Sequence, residues 1–150
     1  MSWNVRGLNQ PVKRSRVFSQ LNKLKAEIVY LQETKLLNKD QAKLCRGGFT
    51  HVFHSDFSHK SRGVAILLHQ NVLFEESNII RDKNGRYVII QGKLFNRPVV
   101  LANIYAPNWD NVDYFRNLFS LLTDLDLHDL IMGGDFNCVL DPKQDKGHVI

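Results

Sequence analysis

Apolar residues follow two rhythms along this chain, and the switches between them predict its elements. From Val12 to Ala26, Val17, Leu21 and Leu24 recur at helical spacing with basic residues between them, which predicts an amphipathic helix. Phe115, Leu118, Phe119, Leu122 and Leu125 give the same period between Asp110 and Leu125, with Asp110 or Asn111 available to cap the start. A short polar helix is expected around Lys39 to Cys45, ended by Gly47-Gly48. Strands are expected over Ser2 to Val5, Glu27 to Leu31, Thr50 to His54, Gly63 to His69, Leu73 to Ile80, Arg86 to Leu94, Pro98 to Tyr105 and Leu130 to Gly134. Asn84-Gly85 predicts a two-residue hairpin, because both residues tolerate positive φ, and Asn96-Arg97-Pro98 marks a second tight turn.

Helices alternating with strands, interrupted by hairpins, predict an α/β sandwich of mixed sheets rather than one parallel sheet. At 150 residues the chain reads as a single domain, 1–150, with no repeat, linker or low-complexity tract. That length buries roughly 70% of the unfolded surface. Its longest apolar runs, such as Val64 to Leu68, are far too short to span a bilayer. The opening Met1-Ser2-Trp3-Asn4 shows no signal core, and Cys45 and Cys138 form no metal-ligand pair. An intracellular location, nuclear or cytoplasmic and not secreted, is therefore expected.

The net charge of +5 hides an asymmetry. Residues 1 to 50 carry ten Lys/Arg against three Asp/Glu, and residues 101 to 150 carry three against eight. A basic first third favours polyanions. Lys13, Arg14, Arg16, Lys23 and Lys25 would equally serve as the solvated face of one helix.

Four apolar runs end in oxygen- and amide-bearing side chains: at Asn4, at Glu33, at Asn103 to Asn108, and at Asp135 to Asn137. Ligand sites gather where strands of α/β sheets finish. Asp135 and Asn137, two apart in an extended segment, would face the same way with Phe136 packed inward; an Asx-rich turn closing the strand is the alternative. Glu33 requires solvent, a metal or an ion pair to Lys35 or Arg6. Oxygen donors without a histidine or thiolate cluster favour Mg²⁺ or Mn²⁺ over zinc, and Mg²⁺ needs only one or two protein carboxylates.

Taken in order, Trp3-Asn4-Val5-Arg6-Gly7-Leu8-Asn9, Leu31-Gln32-Glu33-Thr34-Lys35, Ser61-Arg62-Gly63-Val64-Ala65-Ile66-Leu67, Asn103-Ile104-Tyr105-Ala106-Pro107-Asn108 and Gly134-Asp135-Phe136-Asn137 resemble the endonuclease/exonuclease/phosphatase superfamily, the fold of DNase I and exodeoxyribonuclease III. They look most like the apurinic-type endonuclease domain of LINE retrotransposons. The resemblance implies a four-layer α/β sandwich and Mg²⁺-dependent hydrolysis of DNA phosphodiesters, with Mn²⁺ as a substitute. By position, Glu33 would bind the metal with Asn4 beside it, Asp135 would align or activate the water, Asn137 would orient the phosphate, and Tyr105 would offer its hydroxyl to the developing charge. Asn103, Asn108, Arg6 and Lys35 would support the pocket and contact substrate.

Family members continue past this point with a second half carrying a late Asp and an Asp-His pair. His148 lacks that context and receives no such role. The expectation is therefore an incomplete domain, weak or inactive by itself, since losing one member of a catalytic unit commonly costs about 10³-fold or more. DNA is the expected partner, within a longer protein that includes a reverse transcriptase. A phosphatase or phospholipase of the same fold, or a non-catalytic nucleic-acid-binding module, are the other readings.

Overall fold

In the computed structural model, residues 1–107, 110–125 and 129–137 are described. The elements run β1 (Ser2–Asn4), α1 (Pro11–Lys23), β2 (Ile28–Gln32), a 3-10 helix (Asn38–Leu44), β3 (Phe49–Ser55), β4 (Val64–His69), β5 (Phe74–Arg81), β6 (Tyr87–Leu94), β7 (Arg97–Tyr105), α2 (Val112–Thr123) and β8 (Leu130–Asp135). They form two four-stranded sheets, ordered β1-β2-β4-β3 and β5-β6-β7-β8. Each sheet is mixed: β1 runs parallel to β2 and β7 parallel to β8, and the remaining neighbours are antiparallel.

Period-two alternation sorts the strand residues into layers. Val29, Leu31, Ala65 and Leu67 turn outward to meet Val17, Phe18 and Leu21 of α1. Their neighbours Tyr30, Ile66 and Leu68 turn inward and pack with Val88, Ile90 and Leu101 of the other sheet. The opposite face of that sheet, Ile89, Val100, Ala102 and Ile104, is covered by Leu118 and Leu122 of α2. Helix, sheet, sheet and helix make four layers.

Local chemistry sets the helix ends. Helix α1 starts on Pro11 and stops three residues before Ala26, the expected end. The Ala26 amide donates to the Leu21 carbonyl and the Lys25 amide to the Asn22 carbonyl, with Lys25 at φ 53°, which is a Schellman closure on a non-glycine residue. Asn111 caps α2, its side chain accepting from the Tyr114 amide at 3.1 Å.

Three expectations need correction. The Asn84-Gly85 connection is longer than two residues: Gly85 alone has positive φ, and the Asp82 amide pairs with the Tyr87 carbonyl across the loop. The next turn centres on Phe95 and Asn96, at φ 49° and 65°, so Arg97 already belongs to β7. Arg14 belongs to neither a solvated nor a phosphate-facing surface. It is buried, and its guanidinium donates to the Leu8 and Asn9 carbonyls at 2.9 and 2.7 Å, pinning the loop after β1.

Candidate active site

Strands β1, β2, β7 and β8 deliver their carboxyl ends to one place. Parallel pairing sets Asn4 opposite Gln32 and Tyr105 opposite Asp135, and β1 lies against β8 across the sandwich. Glycine permits that approach. A Cβ on Gly133 would press into the Tyr30 ring, whose hydroxyl donates to the Ile131 carbonyl at 2.7 Å. Gly134 sits at φ 138°, where a Cβ would overlap the Ile104 carbonyl.

Asp135 is the hub. One carboxylate oxygen accepts from the Asn4 side-chain amide at 3.0 Å, and the other accepts from the Asn137 main-chain amide at 2.9 Å. A carboxylate only accepts, so the Asn4 Nδ2 must face it. The Asn4 oxygen in turn accepts from the Arg6 amide at 3.1 Å. The Asn4 side chain thus orients Asp135, and its oxygen keeps one lone pair.

Asn137 departs from the extended geometry expected of it. Strand β8 ends at Asp135 and Asn137 lies at φ 53°, so the segment closes as an Asx turn while Phe136 packs towards α2. Turn and carboxylate placement coexist here, because the Asp135 oxygen facing Asn4 is not the one that closes the turn.

Glu33 and Asp135 both act on the Tyr105 hydroxyl. Its pKa is raised, first by burial, then by the Glu33 charge and, more weakly, by the Asp135 charge, with Arg86 opposing. The hydroxyl therefore stays a donor. Of the three settings open to Glu33, the ion pair with Lys35 or Arg6 does not form: among the described residues no Lys or Arg nitrogen lies within 4 Å of either site carboxylate. Two carboxylates near one hydroxyl, neither in an ion pair with a described residue, suit a hard divalent cation. The described residues offer no cluster of three or more His, Cys, Asp or Glu, so water and substrate must complete any coordination shell.

Arg6, Glu33, Lys35, Arg62 and Asn137 all adopt left-handed backbone, at φ 53° to 63°. Each such residue costs on the order of 1–2 kcal/mol; Lys25, Phe95 and Asn96 adopt the same conformation at turns elsewhere, so the strain does not by itself mark a site. Main-chain bonds hold these loops together: Gly7 N to Glu33 O at 2.6 Å, Lys35 N to Arg62 O at 2.9 Å and Gly63 N to Gly85 O at 3.0 Å.

Asn103 stands behind the site, not in it. It is fully buried, and its Nδ2 donates to the Leu31 and Ala65 carbonyls while its oxygen accepts from Gln32 at 2.9 Å. Contact with substrate is excluded by that burial; what remains is support. Asn108 lies outside the described residues. Arg6 is exposed and Lys35 half-buried on the rim. Two residues escaped the sequence reading. Gln32 links Ser2, Tyr30 and Asn103, and its signal was a polar residue closing an apolar strand. Arg86, whose guanidinium sits 5.3 Å above the Tyr105 ring and donates to the Tyr105 carbonyl at 3.3 Å, had no signal beyond its charge.

A two-sheet sandwich here gathers carboxylates, amides and a phenol at one set of strand ends. The chain belongs to the Endonuclease/Exonuclease/phosphatase family, whose model matches residues 1–146. It is 27% identical over 143 residues to the Transposon TX1 uncharacterized 149 kDa protein of Xenopus laevis, which covers 93% of this chain and 11% of that protein. An AP endonuclease from Archaeoglobus fulgidus superposes with TM-score 0.68 at 24% identity, covering 94% of this chain and 58% of its own. TDP2 from D. rerio, complexed with single strand DNA product, gives 0.67 at 23% over 92% and 60%. The 3'-5' exonuclease NExo of Neisseria meningitidis gives 0.61 at 27% over 91% and 56%. The fold is thus DNase I-like, and the chain spans little more than half of these structures and about a tenth of the transposon protein. No described helix is long and apolar enough to cross a membrane.

Proposed function

We propose that this chain carries the metal-holding and water-aligning part of a Mg²⁺-dependent DNA phosphodiesterase, the endonuclease region of a LINE-type retroelement protein. The observation that carries the reading is that paired strand ends bring Glu33, Asp135 and Tyr105 to one spot, with Asn4 bonded to Asp135 and no described Lys or Arg nitrogen within 4 Å of either carboxylate. Glu33 would hold the metal, with Mn²⁺ able to replace Mg²⁺; the bound ion would supply positive charge to the phosphoryl oxygens. Asp135, oriented by Asn4 and Asn137, accepts the proton of the attacking water. Tyr105 donates to a phosphoryl oxygen as charge grows on it, and Asn137 and the rim cations Arg6 and Lys35 steady the phosphate. Residues 1–150 read as the N-terminal part of that domain, working inside a longer intracellular protein that also carries a reverse transcriptase.

Two measurements test this. Titration calorimetry with Mn²⁺ is expected to show one site that Glu33→Ala abolishes; no binding to the parent chain overturns the metal reading. Incubation with supercoiled plasmid and Mg²⁺ is expected to give slow nicking at most, stopped by a chelator. Fast nicking refutes the weakness of the isolated chain, and turnover of an inositol phosphate or lipid head group in place of DNA moves the site to the phosphatases of this fold.

A further inference from the structure

The outward face of α1 carries charge of one sign only. No Asp or Glu precedes Glu27 in the chain, so the helix has none in its first turn or later. Helix α2, by contrast, sets Asp113 against Arg116 at 3.8 Å. Mixed pairs of that kind steady a helix by about 0.2–0.5 kcal/mol each, and α1 forgoes them. On its exposed side Arg16 and Lys23 stand seven residues apart, almost two turns along one face and about 10 Å from each other. Ser15, Ser19 and Asn22 form the adjoining row, and across that row lies Arg46, in the loop before β3. Two other basic residues of α1 are engaged by the loop after β1: Arg14 is buried, and Lys13 donates to the Arg6 carbonyl at 2.9 Å.

Two adjoining hollows share Ser15, Ser19 and Lys23; one reaches Arg46 and the other Arg16. Together they make one open groove with cations on both walls and hydroxyls between them. Arg46 is held in place there. Its guanidinium lies 5.4 Å from the centre of the Phe18 ring and donates to the Ser15 hydroxyl at 3.4 Å, and Phe18 itself is buried. Among the described residues no carboxylate oxygen lies within 4 Å of Arg16, Lys23 or Arg46, and Asp40 of the neighbouring 3-10 helix is taken by Lys43 at 3.0 Å. The last turn of a helix favours a cation, which accounts for Lys23 but for neither arginine. Hydroxyls, an amide and planar cationic forks with no acid among them match the oxygens of a phosphate.

The groove is far from the carboxylates. Arg46 leads into Phe49, which pairs with His69, whereas Gln32, next to Glu33, pairs with Val64 at the other end of β4. Five strand residues separate those ends, about 17 Å. We propose that the groove between α1 and Arg46 grips the sugar–phosphate backbone of a second nucleic-acid segment, one not engaged at Glu33 and Asp135. Phe18, the one ring lining it, is buried beneath Arg46, so no base can stack there and the grip is blind to sequence. The inference goes beyond the reading above, since the groove holds nucleic acid whether or not the strand-end site hydrolyses it.

Fluorescence anisotropy of a labelled DNA duplex, titrated in chelator at a series of potassium chloride concentrations, tests the groove without requiring catalysis. The triple variant Arg16→Ala/Lys23→Ala/Arg46→Ala is expected to shrink the salt slope by about 2.7, the count for three phosphates, and Arg46→Ala alone by about 0.9. All three side chains are exposed, so the circular dichroism of the variants should match the parent. Arg6→Ala/Lys35→Ala, at the strand ends, should remove a share of its own, and the two losses should add because the sites hold different segments. An RNA duplex of the same sequence distinguishes the source: equal losses with both mark either backbone as ligand, and a loss with RNA alone marks RNA. A triple variant that changes the slope no more than Lys93→Ala, an exposed cation at the far end of β6, overturns the groove. Polyglutamate that displaces the duplex as well per charge as unlabelled DNA also overturns it, in favour of an acidic protein. A slope lost wholly through Arg6→Ala/Lys35→Ala removes the groove and leaves the strand-end DNA reading standing; one lost wholly through the triple variant does the reverse.

Discussion

Replacing Asn103 by alanine removes three hydrogen bonds at a stroke: those to the Leu31 and Ala65 carbonyls at 2.9 and 2.8 Å, and the one from Gln32 at 2.9 Å. At about 1 kcal/mol for each internal bond, the loss is about 3 kcal/mol. It should not run much higher, because the Gln32 amide keeps the Ser2 hydroxyl at 3.1 Å and the Tyr30 carbonyl at 3.2 Å and is never left bare. A domain of this size is stable by roughly 5–15 kcal/mol, so the change is a sizeable share of the total. Urea unfolding followed by circular dichroism is the assay, and with a slope of about 1–3 kcal/mol per molar the midpoint should fall by about 1–3 M at unchanged slope. The companion Asn103→Asp puts a carboxylate against two carbonyls, with only Gln32 as donor. Its folded pKa must rise above the unfolded value. The resulting penalty is largest at neutral pH and relaxes as pH falls and the group protonates. A loss under about 1 kcal/mol for Asn103→Ala, or an Asn103→Asp penalty indifferent to pH, refutes the idea that this network ties the sheets.

All four tyrosines, Tyr30, Tyr87, Tyr105 and Tyr114, have raised pKa values, with burial the largest cause in each. Their contribution is complete below pH 10, and stability should drop as pH climbs above it, because only the unfolded chain releases those protons there. Ultraviolet titration is expected to show tyrosinate appearing together with unfolding; reversible ionisation of the folded protein near pH 10 counts against it. His54 works in the opposite sense. Burial first, and the Arg81 charge, lower its pKa against the pull of Asp56. Stability should therefore decline as pH falls below 6.5, where the unfolded chain takes up a proton that His54 refuses. His54→Gln should flatten that decline relative to the parent in urea unfolding, and identical acid limbs would exclude His54 as the cause.

Most of the fold was legible because it is written in periods. Val17 and Leu21 stand at helical spacing, and Val64 to Leu68 form an unbroken apolar run, all five residues of which are fully buried in β4. Boundaries set by hydrogen bonds were harder to read. Nothing in Lys25 announces a left-handed closure, since glycine is the usual occupant, and Asn84-Gly85 has the composition of a tighter turn than the one formed. The site residues were legible as strand-end polar groups, but their partners were not. Asn4 meets Asp135 across 131 positions, and Gln32 meets Asn103 across 71. Arg14 shows the limit of reading charge as exposure: its neighbours in sequence are solvated, and only the loop folding back over it supplies the carbonyls that let it be buried.

The Gln32–Asn103 bond also answers a geometric question that greasy surfaces leave open. Two sheets meeting through Tyr30, Ile66, Leu68, Val88, Ile90 and Leu101 have little to choose between neighbouring alignments, because one branched side chain slides past another at small cost. A slip of two residues along a strand moves it by about 6.6 Å, enough to carry Glu33 wholly out of reach of Tyr105. Together with the Asn103 bonds to the Leu31 and Ala65 carbonyls, this directional contact acts as an indexing pin, accepting one alignment and rejecting the next. In this architecture the accuracy of the chemistry at the rim is set several residues deep, by two amides that never see the solvent.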